Sequence, residues 1–240
     1  MGPDASEGQA RRAGRSSDER GAMTTIAIIG AGPGLGAAAA RRFGREGFSA
    51  ALISRTQDNV DRLAAELGDG GVRARGYAAD VQDRERVVEA LKAAADDLGP
   101  IEVLQYSPAP RREFLRPVLD TGVDDFAAAV EFSLHGSVTA VQQVLPGMTE
   151  LGKGTILLVN GGSAATPNGN VAGTSVAFAG ESAYGTMLHD ALAPRIHVGQ
   201  LVVPGTIGGG DPMFASDALA EKLWTMHVQR GNFRVTVGPA

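Results

Sequence analysis

Cysteine is absent from the 240 residues, which excludes a thiolate nucleophile, a disulfide framework, Cys-ligated zinc and an iron–sulfur cluster. Histidine is nearly as scarce, with four copies scattered at positions 135, 189, 197 and 227, and no metal is expected. Only three lysines occur, Lys92, Lys153 and Lys222; the formal net charge is −5 and aromatics make up 5%. Both a basic face and stacking rings are therefore lacking, and no nucleic-acid partner is expected. No run reaches the roughly 18 uninterrupted apolar residues of a membrane span, so the chain reads as soluble and cytoplasmic, with no membrane partner.

Apolar residues are also scarce in the first 22 positions, where Asp4, Glu7, Asp18 and Glu19 balance four arginines. Such a segment cannot offset its ordering entropy, and residues 1–22 read as a flexible tail. Arg11-Arg12 ahead of the apolar stretch from Ile26 resembles a twin-arginine export signal, but that stretch holds four glycines and a proline and reads better as structure. Met23 then offers an internal start.

What the chain has is alternation. From Thr24 onward, runs rich in Val, Ile and Leu at 24–30, 48–54, 72–78, 101–106, 154–160, 196–203 and 233–237 read as strands. Helical periodicity between them predicts helices over 34–46, 56–68, 83–98, 120–150, 173–193 and 215–230. Strand and helix in regular turn imply parallel strands joined by crossover helices. The expected class is α/β, a three-layer, doubly wound, mostly parallel sheet of about seven strands. With no repeat and no linker, residues 23–240 are expected to form a single dinucleotide-binding domain.

Glycine is plentiful, at 33 copies, and four of them crowd the turn after the first strand: Gly30-Ala31-Gly32-Pro33-Gly34-Leu35-Gly36. A turn without side chains there lets backbone N–H groups and the N-terminus of the next helix approach a pyrophosphate. The pattern G-x-G-x-x-G would need glycine where Leu35 stands, whereas G-x-x-x-G-x-G fits at Gly30, Gly34 and Gly36. In that spacing, and along nearly all of 24–238, the sequence resembles the short-chain dehydrogenase/reductase family, whose Rossmann-type fold binds NAD(H) or NADP(H). Ser54-Arg55 stands where NAD-using members carry an acid for the ribose hydroxyls. Arg55 offers a cation to a 2′-phosphate instead, so NADP(H) is expected in preference to NAD(H). Asp80-Val81 is similar to the pair flanking the adenine, with Asp80 accepting from its amino group. The resemblance also implies Ser107 beside the cofactor, with Pro204 and Ile207 lining the nicotinamide.

The family's catalytic residues are not retained. It uses a tyrosine donor, a lysine one helical turn later, a serine upstream and an asparagine on the preceding helix. Aligned through Ala193-Pro194 and Ile196-His197-Val198, those positions fall on Thr174, Phe178, Gly161 and Ser133. The family's Asn-Asn-Ala-Gly is replaced by Tyr106-Ser107-Pro108-Ala109. A shifted alignment gives the wider pair Ser163 and Tyr184, but no lysine lies between Lys153 and Lys222 to lower that phenol's pKa, and Tyr184 reads as helix packing. Two candidates for chemistry remain. Ser163 is either a group at the pocket mouth or a loop hydroxyl; Tyr106 is either a donor or a ring packed beside the cofactor. His135 and His189 titrate in the useful range but read as structural.

The sequence is thus identified as a divergent member of that family, expected to be an NADP-dependent oxidoreductase with a non-standard active site. Its small organic substrate would carry an activated C=N, C=C or C=O bond. Reducing a ketone leaves an alkoxide that needs a proton, whereas reducing an iminium ion neutralises a charge already present. The rival reading is a non-redox protein of the same fold, either an NADP(H) sensor or a cyclase- or isomerase-type catalyst in an apolar pocket. The helices at 120–150 and 173–193 correspond to those that pair in the family's dimers, so a homodimer or homotetramer is expected.

Overall fold

The computed structural model describes residues 24–238, so the tail read over 1–22 lies outside the described residues. Seven strands form one sheet: β1 (Thr25–Ile29), β2 (Ser49–Ser54), β3 (Ala74–Ala78), β4 (Ile101–Tyr106), β5 (Gly154–Gly161), β6 (Ile196–Val203) and β7 (Arg234–Thr236). Their order is β3-β2-β1-β4-β5-β6-β7 and every pairing is parallel. The chain winds outward from β1 to β3, then returns to pair β4 with β1, with Ile29 opposite Tyr106 at the carboxyl ends. Parallel strands part there, and the diverging loops leave room for a ligand.

Strand residues alternate between two buried faces. Ala27, Ile29, Ala51 and Ile53 meet one core, and Ile26, Ile28, Ala50 and Leu52 the other. Burial on both faces explains why these runs are nearly all apolar. On one side lie α1 (Leu35–Gly44), α2 (Gln57–Asp69) and α7 (Ser216–Gln229), through Phe43, Leu63 and Leu223. On the other lie α3 (Arg84–Leu98), α5 (Gly136–Glu150) and α6 (Ala172–Leu192), through Leu91, Val144 and Ala177. The three expected layers are present. Among the described residues, no helix is long and apolar enough to cross a membrane.

One expectation needs correction. The helix read as continuous over 120–150 is α4 (Val123–Val130), a π-helical turn at Glu131–His135, and then α5. The cause is a contact distant in sequence. Tyr106 at the end of β4 sends its hydroxyl 2.6 Å to the Phe132 carbonyl, and a Cβ on Gly136 would stand 2.2 Å from that oxygen. A wider turn and a residue without a side chain let the helix pass over the phenol.

Candidate functional site

At the carboxyl ends of β1, β2 and β3 lies a crevice of about 650 Å³. Its floor begins in the glycine loop, where Gly30 takes φ +88°, favourable only without a side chain, and its missing Cβ would sit 2.6 Å from the backbone of Pro108. A Cβ on Gly36 would press to 2.9 Å on Ala31, so α1 can lie against the loop only with glycine there. Leu35, the first residue of α1, is buried in the core and anchors that helix end. Gly32 faces open space and Gly34 meets only the Ser216 hydroxyl, at 3.6 Å. Backbone N–H groups at the start of α1 are thus free of side-chain cover, as an anionic ligand requires.

Ser54 and Arg55 line the same crevice from the end of β2. Arg55 is exposed, and its guanidinium has no hydrogen-bond or ion-pair partner among the described residues. Sequence reasoning missed a second arginine: Arg62 on α2 also lines the crevice, with Nη2 held 3.2 Å from Asn59 Oδ1. The spacing of Asn59 and Arg62 carries that signal, because residues three apart on α2 share a helix face, here the one turned to the crevice. Glu66, one turn further along, lines the crevice as well.

Asp80 and Val81, at the end of β3, form the opposite wall. Here too the structure adds an arginine. Arg111, from the loop after β4, places Nη2 2.6 Å from Asp80 Oδ2, while the Gln82 amide donates to Oδ1 at 3.1 Å. The Arg111 guanidinium also lies 5.6 Å over the Phe132 ring, another lining residue. Each Asp80 oxygen keeps an unused lone pair, so a further donor can still be accommodated.

Of the expected cofactor residues, Gly34, Leu35 and Gly36 lie behind the loop rather than in the crevice lining, and Ser107, Pro204 and Ile207 do not line it either. Ser107 receives Gln105 Nε2 at 2.9 Å and donates to the Ile29 carbonyl at 3.3 Å, tying β4 to β1. Pro204 and Ile207 lie exposed after β6, beside the turn at Gly162, whose missing Cβ would be 3.2 Å from Pro204. Ser163 is half-buried in that turn, Gly162–Ala164, directly after β5. Ser163 and Pro204 therefore lie together at a second locality, past the ends of β5 and β6, and Ile207 follows three residues after Pro204.

Of the four positions aligned with the family's catalytic residues, Gly161 is half-buried and the other three are closed off. Thr174 is 5% exposed and its hydroxyl donates to the Phe114 carbonyl at 3.3 Å. Phe178, 4% exposed, packs with Ala164 and Val202, its ring 3.8 Å from where a Gly161 Cβ would be. Ser133 is buried inside the π-helical turn. Tyr106 is placed differently from either sequence reading: it is 1% exposed, lies outside the crevice lining and is tied to Phe132. Burial, with a contribution from Glu181, pushes its phenol well above the usual range, which removes it as a proton donor near neutrality. His135 pairs with Glu131 beside Arg84, and His189 bonds the Val198 carbonyl at 2.7 Å, both structural contacts.

Comparison with known proteins follows the same lines. A profile of the short chain dehydrogenase family matches residues 24–213. The short-chain reductase protein NovJ of Streptomyces niveus is 31% identical over 198 residues, 82% of this chain and 72% of that protein. Other curated relatives are matched over 10% to 56% of their own length. A short-chain dehydrogenase from Rhodopseudomonas palustris superposes with a TM-score of 0.79 at 24% identity, covering 90% of this chain and 99% of that one. A metagenomic short-chain oxidoreductase solved with NADP gives 0.78 at 19% identity, over 90% and 97% of the two chains.

Proposed function

The chain belongs to the short-chain dehydrogenase family, and on that premise we propose that it is an NADP(H)-dependent oxidoreductase with a rebuilt active site. One observation carries the reading. The glycine-lined crevice is bordered by both Arg62 and Arg55, the latter without a partner among the described residues, where a 2′-phosphate would seek cations. The residues fit the cofactor: free N–H groups at the start of α1 for the pyrophosphate, Arg55 and Arg62 for the 2′-phosphate, and Asp80, held by Arg111, as acceptor for the adenine amino group. A fold neighbour solved with NADP agrees with a nicotinamide cofactor.

The bound cofactor supplies hydride transfer; everything else falls to the protein. Ser163, Pro204 and Ile207 border the place where a substrate would meet the nicotinamide, and Phe178 makes its floor apolar. Thr174 is withdrawn from such a site, buried with its hydroxyl committed to the Phe114 carbonyl, and Phe178 carries no charge to lower a donor's pKa. The site therefore suits a small organic substrate with an activated C=N or C=C bond, or a C=O bond protonated from Ser163 or water. The burial of Tyr106 and Thr174 favours one second reading, a non-redox binding protein of the same fold. The chain acts as one domain over 23–240, in the cytoplasm, as a homodimer or homotetramer. Titration with NADPH, followed by a screen of iminium, enone and ketone substrates for cofactor oxidation, tests the proposal. Tight NADPH binding with no turnover on any of them would select the second reading.

A further inference from the structure

Behind Phe178, between α6 and the sheet, lies a group of buried polar side chains with no part in the proposed chemistry. Glu181 on α6 and Gln200 on β6 are both 0% exposed, and Asn160 on β5 and Ser182 on α6 are also buried. Arg234 of β7 donates from Nε to Gln200 Oε1 at 2.8 Å. Arginine can only donate, so this contact orients every amide behind it. The Gln200 amide nitrogen must point inward, where it meets Asn160 Oδ1 at 2.8 Å and the Ser182 hydroxyl at 2.6 Å. Asn160 Nδ2 must then face Glu181 Oε2, at 3.0 Å. Ser182 passes its own proton toward the Ala164 carbonyl at 3.4 Å. The chain of bonds ends at Glu181 Oε1, which is buried and has no partner among the described residues.

Both ends of the Ser163 turn are attached to this group: Asn160 immediately precedes Gly161, and Ala164 closes the turn. We propose that Glu181 is a positioning residue for the turn that presents Ser163, acting through Asn160 in its protonated state, and that loss of its proton releases the turn. As a neutral acid, Glu181 accepts one bond at Oε2 and leaves a single O–H at Oε1 without an acceptor, a smaller cost than an unpaired charge in the same place. As a carboxylate it would need water or a cation there. No charged side chain bonds it among the described residues: β5 and β6 present the neutral Asn160 and Gln200, β4 presents the phenol of Tyr106, and Arg234 reaches only Gln200. Ionisation therefore has to admit water between α6 and β5. Burial raises this carboxyl to about 8, against a smaller opposing effect of the Asn160 bond, which puts the release within reach of mild alkali.

The inference rests on the reading of Ser163 as a pocket group only for its consequence, so the test needs neither cofactor nor substrate. Hydrogen exchange of the full chain, corrected for base catalysis, reports on the Ala165 and Thr166 amides, both bonded to the Gly162 carbonyl. Protection there should fall about tenfold or more between about pH 6.5 and about pH 9.5. In Glu181→Gln, neutral at every pH and of the same shape, it should stay flat. The carbonyl stretch of a protonated carboxyl, present in the unmutated protein at neutral pH and absent from Glu181→Gln, identifies the group. An equal fall in both proteins, a flat profile in both, or no such stretch overturns the proposal. Failure to bind NADPH would instead count against the proposed function and leave this result standing.

Discussion

Arg55 lines the crevice with no partner among the described residues, so its charge is available to a ligand and its removal should disturb little else. Arg55→Ala should weaken NADPH by about 1.5–3 kcal/mol and leave NADH nearly unchanged; Arg62→Ala should act in the same direction. Calorimetric titration checks both, and equal losses for the two cofactors would place the 2′-phosphate elsewhere. Gly34→Val should fold, since a Cβ there meets only Ser216 Oγ at 3.6 Å, yet its branched side chain should obstruct the pyrophosphate and abolish binding. Glu181 links the residue scale to stability. Its folded value, about 8, lies above the roughly 4.3 of an unfolded glutamate, so its contribution is complete in acid and declines as pH rises through that window. Relative to the parent, Glu181→Gln should therefore gain stability from about pH 5 to about pH 8, by a few kcal/mol in denaturant unfolding. Arg55 was legible because it directly follows a predicted strand. Arg111 was not, because its partner Asp80 lies 31 residues away and no local pattern encodes that pairing.

Among the elements, the π-helical turn between α4 and α5 shows how tertiary contacts override periodicity. The apolar spacing over 120–150 was that of one helix, and nothing within the window announces Tyr106 beneath it. Gly136→Ala should cost about 1–3 kcal/mol, because its Cβ would stand 2.2 Å from the Tyr106 hydroxyl. Tyr106→Phe removes that oxygen at the expense of its bond to Phe132, so Gly136→Ala should cost less in the Tyr106→Phe protein than in the parent. Additive costs in denaturant unfolding would show that the two residues do not share the constraint. The strands were easier to read. Those of the central sheet are buried on both faces and appear as short apolar runs whatever their partners, whereas the Glu181 group draws on β5, α6, β6 and β7 and exists only once all four have assembled.

For the whole molecule, the doubly wound sheet places the glycine loop, Arg55 and Asp80 around one crevice, while Ser163 and Pro204 lie together past the ends of β5 and β6. α6 has a buried side carrying Thr174, Phe178 and Glu181 and an outer side with Val176 and Met187 exposed, the latter available to a second copy of the chain. Sedimentation should show a dimer or tetramer at micromolar concentration, and a monomer there would contradict the assembly. The crevice proposed for the adenosine half could be located from the sequence because it is made of backbone and strand ends. The catalytic half could be read only as a set of missing residues, since what replaces them depends on packing around Phe178. The most direct measurement compares NADPH and NADH affinity for the unmutated protein and for Arg55→Ala. The account predicts that NADPH binds more tightly to the unmutated protein and that Arg55→Ala removes most of the difference; equal affinities in the unmutated protein, or a preference untouched by Arg55→Ala, would contradict it.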